Sequence, residues 1–211
     1  KNTEGTPENI RKFHPNIIVS STGSAPLLPP IAGLKDRIDN EKHNIYSILG
    51  MISHINDFPK DLEGKKVVVV GGGAVGLDVV EFFADRNADI SIVEMMDQIG
   101  RDLDPVSKND TKTMMKKHNV HQLTKTALLE VKDSSFLVRG DGEPYELPFE
   151  YGFVCLGMRA QGQLYQNLTE EFSSEDVEIM NIGDSQRARR IIDGTQEGRN
   201  ILTILEQKGY L

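Results

Sequence analysis

The stretch that most constrains the fold is KKVVVVGGGAVGLDVVEFF, which runs from Lys65 to Phe83. Its valines do not alternate with polar residues, so the segment from Lys66 to Val70 is predicted to be a strand buried on both faces. Three consecutive glycines follow, and the segment from Ala74 to Arg86 then has the apolar spacing of a helix. A buried strand that turns at once into a helix is typical of an α/β protein with a parallel sheet.

A second strand is predicted directly after this helix, from Ala88 to Glu94 in the sequence ADISIVE. A strand, a helix and a strand within about 30 residues form a βαβ unit, in which the two strands are parallel. The glycines between the first strand and the helix have the spacing G-x-G-x-x-G and are Gly71, Gly73 and Gly76. This spacing is more informative inside a βαβ unit than it is alone.

Each glycine of the loop has a distinct predicted role. Gly71 permits the tight turn off the strand, Gly73 lets the backbone approach a pyrophosphate, and Gly76 lets the helix pack closely on the strand. The phosphates are expected at the helix N-terminus, at Ala74 and Val75, where unpaired N–H groups and the helix dipole favour negative charge. A phosphate-loop NTPase is excluded because no Gly-Lys-Ser/Thr follows, whereas a glycine turn without a ligand remains open.

Glu94 ends the second strand, 21 residues after Gly73, where a dinucleotide site carries an acidic residue. A carboxylate there accepts hydrogen bonds from both ribose hydroxyls and repels a 2′-phosphate. Met95 and Met96 follow, where an NADP site usually has an arginine. The sequence therefore favours NAD(H) over NADP(H).

Arg101 complicates this preference because its guanidinium could swing back to a 2′-phosphate. Its neighbours Asp102 and Asp104 are the predicted partners of the guanidinium instead. The preference for NAD(H) therefore rests on Glu94.

The other predicted elements surround this unit along the chain. We expect an α/β fold, with a Rossmann-like parallel sheet, helices on both faces and an antiparallel β-meander. The elements are a strand at Asn16–Thr22, a proline-rich extended connector, a helix at Ile45–Ile55, a helix at Asp104–Val120, meander strands within His121–Gly157 with a hairpin turn at Gly140–Glu143, a strand at Val177–Gly183 and a helix at about Ala188–Lys208.

Composition excludes several classes of function. The net charge of −8 and the pI of about 5.2 argue against a nucleic-acid partner, and the basic RARR stretch at Arg187–Arg190 is interpreted as solvated or paired with Asp184 and Asp193. No apolar run is long enough for a membrane span. The single cysteine, Cys155, excludes an intrachain disulfide and a cysteine-ligated metal, and a reducing cytoplasmic setting is expected.

Neither a catalytic side chain nor a metal site is predicted. Cys155 is interpreted as a buried, inert thiol, because it lies in a strand between two apolar residues. His118 and His121 are three residues apart, but no third ligand has a suitable spacing, so both are expected to be solvated.

Four motifs in order carry a resemblance to a known family. They are SSTGSAP (Ser20–Pro26), VVVVGGGAVGLD (Val67–Asp78), VCLGMRA (Val154–Ala160) and NIGDS (Asn181–Ser185). The chain thereby resembles the flavoprotein reductases with two dinucleotide-binding domains, over nearly its whole length. The resemblance implies binding of FAD as well as a nicotinamide dinucleotide.

Longer segments are similar to the C-terminal part of the NADH:flavin oxidoreductases, a group that includes 2,4-dienoyl-CoA, 2-enoate and bile-acid enone reductases. These segments are SIVEMMDQIGRDLDPVSK, YGFVCLGMRA and NIGDSQRARRIIDGTQEGRNIL. The resemblance implies an enzyme in which hydride passes from NAD(P)H to FAD. Electrons then pass through an iron–sulfur cluster to FMN, in an N-terminal old-yellow-enzyme-like barrel, and reduce an activated C=C bond.

The resemblance also implies roles for individual residues. Gly71, Gly73, Gly76 and Glu94 match the family's NAD site, and Gly157 matches the glycine beside the nicotinamide. Gly183 and Asp184 match the residues at the FAD ribityl chain. Thr22 and Gly23 match the strand that passes near the FAD. Three positions depart from the family pattern. Asp78 stands where glutamate is frequent, Leu156 replaces threonine and Ala160 replaces proline.

The domain organisation expected from this resemblance is discontinuous. Residues 1–34 and 177–211 are predicted to be remnants of an FAD-binding domain, residues 35–159 an NAD(P)H-binding domain, and residues 160–176 a connector. The barrel, the cluster cysteines and the first FAD-binding glycine motif are expected upstream of Lys1. We therefore expect this chain alone to bind FAD poorly, and FAD co-purifying at one per chain would contradict this.

Two alternatives remain open. One is a nucleotide-binding or redox-sensing module without catalysis, and the other is a different NAD(P)H:FAD reductase of the same superfamily. The intact protein could also be an oligomer.

Overall fold

A computed structural model describes residues 2–210 of the chain. The chain divides into two compact units: the sheet unit, residues 26–157, and the split unit, residues 2–25 and 158–210. The assignment of NAD(P)H-binding and FAD-binding roles to particular ranges stays a prediction. None of the helices within residues 2–210 combines the length and apolar character that a membrane crossing requires.

The described residues form seven α-helices and twelve strands. The helices are α1 (Pro7–Arg11), α2 (Leu34–Arg37), α3 (Ile48–Ser53), α4 (Ala74–Ala84), α5 (Pro105–Lys117), α6 (Gln163–Glu171) and α7 (Ile191–Gln207). The strands are β1 (Ile17–Ser20), β2 (Ser24–Pro26), β3 (Ile45–Tyr46), β4 (Lys66–Val70), β5 (Asp89–Val93), β6 (His121–Leu123), β7 (Ala127–Val131), β8 (Ser135–Arg139), β9 (Tyr145–Pro148), β10 (Tyr151–Val154), β11 (Met158–Ala160) and β12 (Glu178–Asn181).

A five-stranded parallel sheet forms the centre of the sheet unit, in the order β3-β10-β4-β5-β6. The predicted βαβ unit is confirmed as β4, α4 and β5, with Val68 of β4 opposite Ser91 of β5. Because β4 lies between β5 and β10, the chain passes from β4 to its neighbour β5 on one side and later returns to form β10 on the other side. Ligands of open α/β sheets bind at such a point, beyond the carboxyl ends of the strands.

The valines of β4 are buried because both faces of the sheet are covered. One face packs against α3, α4 and α5, where Val67 and Val69 meet Val80 and Phe83. The other face packs against α2 and an antiparallel sheet of β7, β8 and β9, with Phe136 at its centre. The predicted α/β class is therefore confirmed. The helices expected on this second face are represented by the single turn α2.

The predicted meander is present in part. The strands β7, β8 and β9 pair in antiparallel register, and the predicted turn at 140–143 joins β8 to β9. The sequence YGFVCLG, residues 151–157, predicts a further central strand, and β10 confirms this by joining the parallel sheet. However, β6 also joins the parallel sheet instead of the meander. The strand β6 does so because α5 carries the chain across the sheet between β5 and β6, as a second crossover connection.

The split unit contains a parallel pair of strands, β1 and β12, with Ser20 opposite Asn181. A short two-stranded sheet pairs β2 with β11. The helix α6 packs on the unit through Leu168 and Phe172, which form a small cluster with Ile18. The range 160–176 therefore contains a helix whose apolar residues recur four apart along the sequence.

One predicted helix, and the predicted environment of another, differ from the structure. The segment predicted as a helix from Ile45 begins instead with β3, and Ser47 caps α3 by accepting a hydrogen bond from the Gly50 N–H at 3.1 Å. The sequence also predicts an apolar stripe on α7 that serves as ordinary core packing and not as a partner groove, formed by Ile191, Ile192, Ile201, Leu202 and Leu205. This interpretation is wrong for most of the stripe. Leu205 is buried, whereas Ile191 is 90% exposed and Leu202 is 63% exposed.

Candidate functional site

The glycine loop lies at the carboxyl edge of the parallel sheet, beside the ends of three strands. The Gly71 N–H donates to the Val93 carbonyl at 2.8 Å, and the Cys155 N–H donates to the Val70 carbonyl at 2.7 Å. The loop is therefore held on one side by the end of β5 and on the other by the end of β10.

Two of the three glycines are required by close backbone contacts. Gly71 has φ +110°, and a Cβ there would come closer than 3.0 Å to the Cys155 carbonyl oxygen. A Cβ on Gly76 would come equally close to the Gly71 carbonyl oxygen. The first contact lets β4 turn beside β10, and the second lets α4 begin close against β4. Both agree with the predicted roles of these glycines.

Gly73 differs because the space around it is open. It caps α4 in an extended conformation, with no side-chain cap, and a Cβ there would meet nothing nearer than the Asp102 carboxylate at 3.8 Å. The first-turn N–H groups of α4, which include those of Ala74 and Val75, have no partner within the helix. This end of α4 can therefore accept a phosphate, as the sequence predicts.

Glu94 follows β5 and is held by two backbone N–H groups. Its Oε2 atom accepts a hydrogen bond from the Gly72 N–H at 2.6 Å, and its Oε1 atom accepts one from the Met96 N–H at 2.8 Å. These bonds fix the carboxylate beside the glycine loop. Each oxygen retains a second lone pair with which it could accept a ribose hydroxyl.

A cavity of about 360 Å³ opens at this loop. Its lining residues come from the glycine loop and from the segment after β5: Gly72, Gly73, Glu94, Met96, Gln98, Arg101 and Asp102. Of these, Gly73 and Glu94 are predicted site residues. Gln98 and Asp102 could be found only from the path of residues 95–104 across the loop, which no sequence spacing specifies.

The predicted partners of Arg101 are wrong. Asp104 caps α5 instead, accepting hydrogen bonds from the Val106 and Ser107 N–H groups. The Arg101 guanidinium makes no ion pair within residues 2–210, and it lines the cavity. A positive charge and the Glu94 carboxylate therefore both face this space.

Asp78 and Gly157 lie near the other side of the loop. Asp78 lies on α4 and its side chain is exposed. The surrounding protein nevertheless partly desolvates the carboxylate, which raises the pKa of Asp78. Gly157 follows β10 with φ +105°, and its carbonyl accepts a hydrogen bond from the Leu27 N–H at 2.9 Å. A Cβ on Gly157 would meet nothing within 4 Å, so the space beside it is open.

Cys155 is buried between these residues, and the Asp78 carboxylate acts on it. Burial and, to a smaller extent, the negative charge of Asp78 together raise the pKa of the Cys155 thiol from an ordinary value of 9.0 to about 12. A raised pKa means that the thiol stays protonated at neutral and mildly alkaline pH. An inert thiol, as the sequence predicts, fits this environment.

We expect Cys155 to react with a thiol reagent at pH 8 about a thousandfold more slowly in the native chain than in the unfolded chain. The thiolate fraction falls from about one in ten at a pKa of 9.0 to about one in ten thousand at a pKa of 12. Stopped-flow modification with and without denaturant measures the ratio. Equal rates in the two states would show that the thiol is accessible and ionised.

The residues predicted to contact FAD lie together in the split unit. The Asp184 carboxylate accepts hydrogen bonds from the Ser24 hydroxyl at 3.1 Å and from the Arg189 N–H at 3.1 Å. The Thr22 hydroxyl donates to the Gln161 carbonyl at 2.5 Å, and Gly23 has φ +78°. Strands β1 and β12 bring these residues to the same end of their pair.

Gly183 and the basic stretch that follows it are tied together by Glu197. The Gly183 N–H donates to the Glu197 carboxylate at 2.6 Å, and the Arg189 guanidinium pairs with the same carboxylate. These two bonds hold the pKa of Glu197 below its ordinary value. The basic stretch is thus largely paired, since Arg190 also lies 3.8 Å from Asp193.

A metal site finds no support among the described residues. Within residues 2–210, no three His, Cys, Asp or Glu side chains are grouped to hold an ion. His121 lies 3.5 Å from the Asp89 carboxylate and is mostly exposed.

The fold and the glycine loop define a class, the Rossmann-like α/β proteins. Residues 3–180 match the model of the family described as pyridine nucleotide-disulphide oxidoreductase. The chain therefore belongs to the pyridine nucleotide-disulphide oxidoreductase family. This confirms the resemblance to flavoprotein reductases that the four motifs indicate.

Three curated relatives match most of the chain at low identity. The metal reductase of Desulforamulus reducens is 26% identical over 94% of this chain and 32% of its own. The NADH oxidase of Thermoanaerobacter brockii is 26% identical, covering 90% of this chain and 28% of its own. The cinnamate reductase of Clostridium sporogenes is 21% identical, covering 90% of this chain and 27% of its own. The chain thus spans about a third or less of the length of these relatives.

A solved structure has the same fold. The complex of 2-naphthoyl-CoA reductase with 2-naphthoyl-CoA superposes with a TM-score of 0.76 at 22% identity, covering 93% of this chain and 28% of that chain. At this identity the likeness supports the fold alone.

Proposed function

We propose that the chain binds NADH and passes hydride to FAD, as a module of a flavin oxidoreductase that reduces an activated C=C bond. The bond would belong to a substrate of enoate or enoyl-CoA type. NADH supplies the hydride and FAD accepts it, so the chain's own residues need to supply orientation and electrostatics rather than an acid, a base or a nucleophile. This agrees with the lack of a predicted catalytic side chain.

The observation that carries the proposal is the open space at Gly73. The residues present fit a dinucleotide there, because α4 has no side-chain cap and its cap residue, Gly73, lines a cavity of about 360 Å³. Gly71 and Gly76, by contrast, are explained by packing alone. An uncapped, open helix start beside a fixed carboxylate fits a pyrophosphate with an adjacent ribose better than it fits a simple turn.

The preference for NADH rests on Glu94. Its carboxylate is fixed beside the glycine loop, where it can accept ribose hydroxyls and would repel a 2′-phosphate. Arg101 acts in the opposite sense, since its unpaired guanidinium faces the same cavity. We expect Glu94 to determine the cofactor preference, because two backbone hydrogen bonds hold its carboxylate in place. The Arg101 side chain, by contrast, is exposed and loses conformational entropy on binding.

FAD and the final acceptor are proposed from the family and from the split unit. Thr22, Gly23, Gly183 and Asp184 lie at one end of the β1–β12 pair, where a flavin cofactor would be held. The relative named cinnamate reductase supports a C=C acceptor. The resemblance assigns FMN and an iron–sulfur cluster to a part of the enzyme outside residues 1–211. For the cluster the composition agrees, since this chain has one cysteine and Fe–S clusters are held mainly by cysteine thiolates. We place the reaction in the cytoplasm.

We expect calorimetric titration of this chain to show NADH binding at least about tenfold tighter than NADPH binding. Glu94→Gln should narrow this ratio, because it removes the charge that opposes a 2′-phosphate while keeping a similar shape. Equal affinities in the wild-type chain, or tighter NADPH binding, would show that Arg101 outweighs Glu94 in determining the cofactor preference. A folded chain that binds neither dinucleotide would contradict the proposed site.

A further inference from the structure

Among residues 2–210, the Asp102 carboxylate comes nearest to the position that a Cβ on Gly73 would take, apart from Gly73's chain neighbours. Its two carboxylate oxygens lie 3.8 Å and 4.0 Å from the position that a Cβ on Gly73 would take. Other protein atoms, apart from Gly73's chain neighbours and the α4 backbone, lie more than 4 Å from that position. A ligand that approaches the Gly73 backbone therefore approaches this carboxylate as well.

The backbone around Asp102 is anchored on both sides. The Gly100 N–H donates to the Gly72 carbonyl at 2.7 Å, which joins the segment to the glycine loop. Asp104 caps α5, and the Lys108 ammonium donates to the Arg101 carbonyl at 3.1 Å. The position of Asp102 over the loop is thus set by the main chain and not by its own side chain.

The Asp102 carboxylate has no partner of its own. Within residues 2–210 it makes no hydrogen bond and no ion pair, in contrast to the Glu94 carboxylate, which two N–H groups hold. The neighbouring Arg101 guanidinium does not pair with it either. The negative charge of Asp102 is therefore uncompensated where a phosphate is expected.

We propose that Asp102 limits the affinity of the site, because its negative charge acts against phosphate charge at Gly73 and so weakens the binding of every dinucleotide whose pyrophosphate lies there. The inference rests on the proposed function. Asp102 then acts on the pyrophosphate charge, which NADH and NADPH share. Glu94 acts on the 2′-phosphate charge, which distinguishes NADPH from NADH. Asp102 opposes the attraction of the α4 N-terminus, so the net affinity reflects both effects.

The test is calorimetric titration of Asp102→Asn with NADH and with NADPH at low and high ionic strength. Asparagine keeps the shape and removes the charge. We expect both dinucleotides to bind about threefold to tenfold tighter at low salt, with the NADH-to-NADPH ratio unchanged. The gain should vanish near 1 M salt, where charges are screened within about 3 Å. The melting temperature should not change, because the Asp102 side chain makes no contact that the substitution removes.

Asp97→Asn is the matched control. Asp97 is an exposed carboxylate on the same segment but does not line the cavity, so its loss removes the same net charge without affecting the site. We expect it to change neither affinity by more than about 1.5-fold.

The outcomes separate this inference from the proposed function. If the wild-type chain binds NADH but Asp102→Asn binds both dinucleotides equally well or more weakly, the inference is wrong and the proposed function stands. A gain that persists at high salt, or that Asp97→Asn reproduces, also overturns it. If the folded wild-type chain and the variant bind no dinucleotide, the proposed site fails and the inference fails with it.

Discussion

Gly76→Ala is expected to destabilise the sheet unit by about 3 kcal/mol or more, although alanine is the better helix former. Helix propensity alone would stabilise α4 by about 1 kcal/mol on this substitution. The new methyl group, however, would come closer than 3.0 Å to the Gly71 carbonyl oxygen, which is backbone and cannot rotate away. The contact outweighs the propensity because α4 would have to move off β4, where Val69 and Phe83 are fully buried.

Urea unfolding followed by circular dichroism measures this effect. The matched control is Gly198→Ala, because Gly198 is also inside a helix, α7, and a Cβ there would meet nothing within 4 Å. We expect the control to stabilise its helix by up to about 1 kcal/mol. If the two substitutions shift the free energy of unfolding in the same direction, the close packing of α4 against the turn is not as described.

Gly73→Ala is expected to reduce NADH affinity at least tenfold while the chain remains folded. A methyl group on Gly73 would meet only the Asp102 carboxylate, at 3.8 Å, so the fold accommodates it. The backbone there has φ −79°, which any residue adopts, and replacing a glycine cap by alanine costs about 1 kcal/mol or less. The same methyl group would stand between the backbone and a pyrophosphate, where close approach is needed.

Titration calorimetry and thermal melting of the same preparation separate the two effects. Gly76→Ala and Gly73→Ala should behave as opposites, since the first removes stability and the second removes binding. An unchanged NADH affinity in a folded Gly73→Ala chain would mean that the dinucleotide does not approach this loop, or that the loop is only a turn.

The centre of the sheet unit could be predicted from sequence because its signals are local and agree with one another. The apolar run of β4, the glycine spacing and the apolar spacing of α4 each specify the same βαβ unit. Asp104 followed by Pro105 likewise predicts a capped helix start in the sequence, and the N-terminus of α5 confirms it. Glu94 could be placed near the loop because β5 runs parallel to β4, which brings their carboxyl ends together.

The errors occur where local pattern and tertiary pairing compete. Ile45 has helical spacing with the residues after it, but it is opposite Gly152 in the sheet, and this pairing decides its conformation. The stripe on α7 shows which face is apolar without showing whether any described element covers Ile191 or Leu202. Proximity in sequence predicts an ion pair between Arg101 and Asp104, whereas the Asp104 carboxylate instead caps the N-terminus of α5.

Asp102 illustrates what sequence spacing cannot supply. Its place over Gly73 depends on hydrogen bonds from the Gly100 N–H to the Gly72 carbonyl and from the Lys108 ammonium to the Arg101 carbonyl, which no periodic pattern specifies. A residue of this kind is found only when the path of an irregular segment is known.

The anchoring of the glycine loop has a consequence for the energetics of recognition. Hydrogen bonds from Gly71 to Val93, from Gly72 to Glu94 and from Gly100 to Gly72 fix the loop before any ligand arrives. The conformational entropy of these residues is therefore lost when the chain folds, and little remains to be lost on association. Affinity at this loop is then coupled to the integrity of the parallel sheet. A substitution deep in β4 or β10 that lets the strand ends separate would weaken binding without touching the ligand.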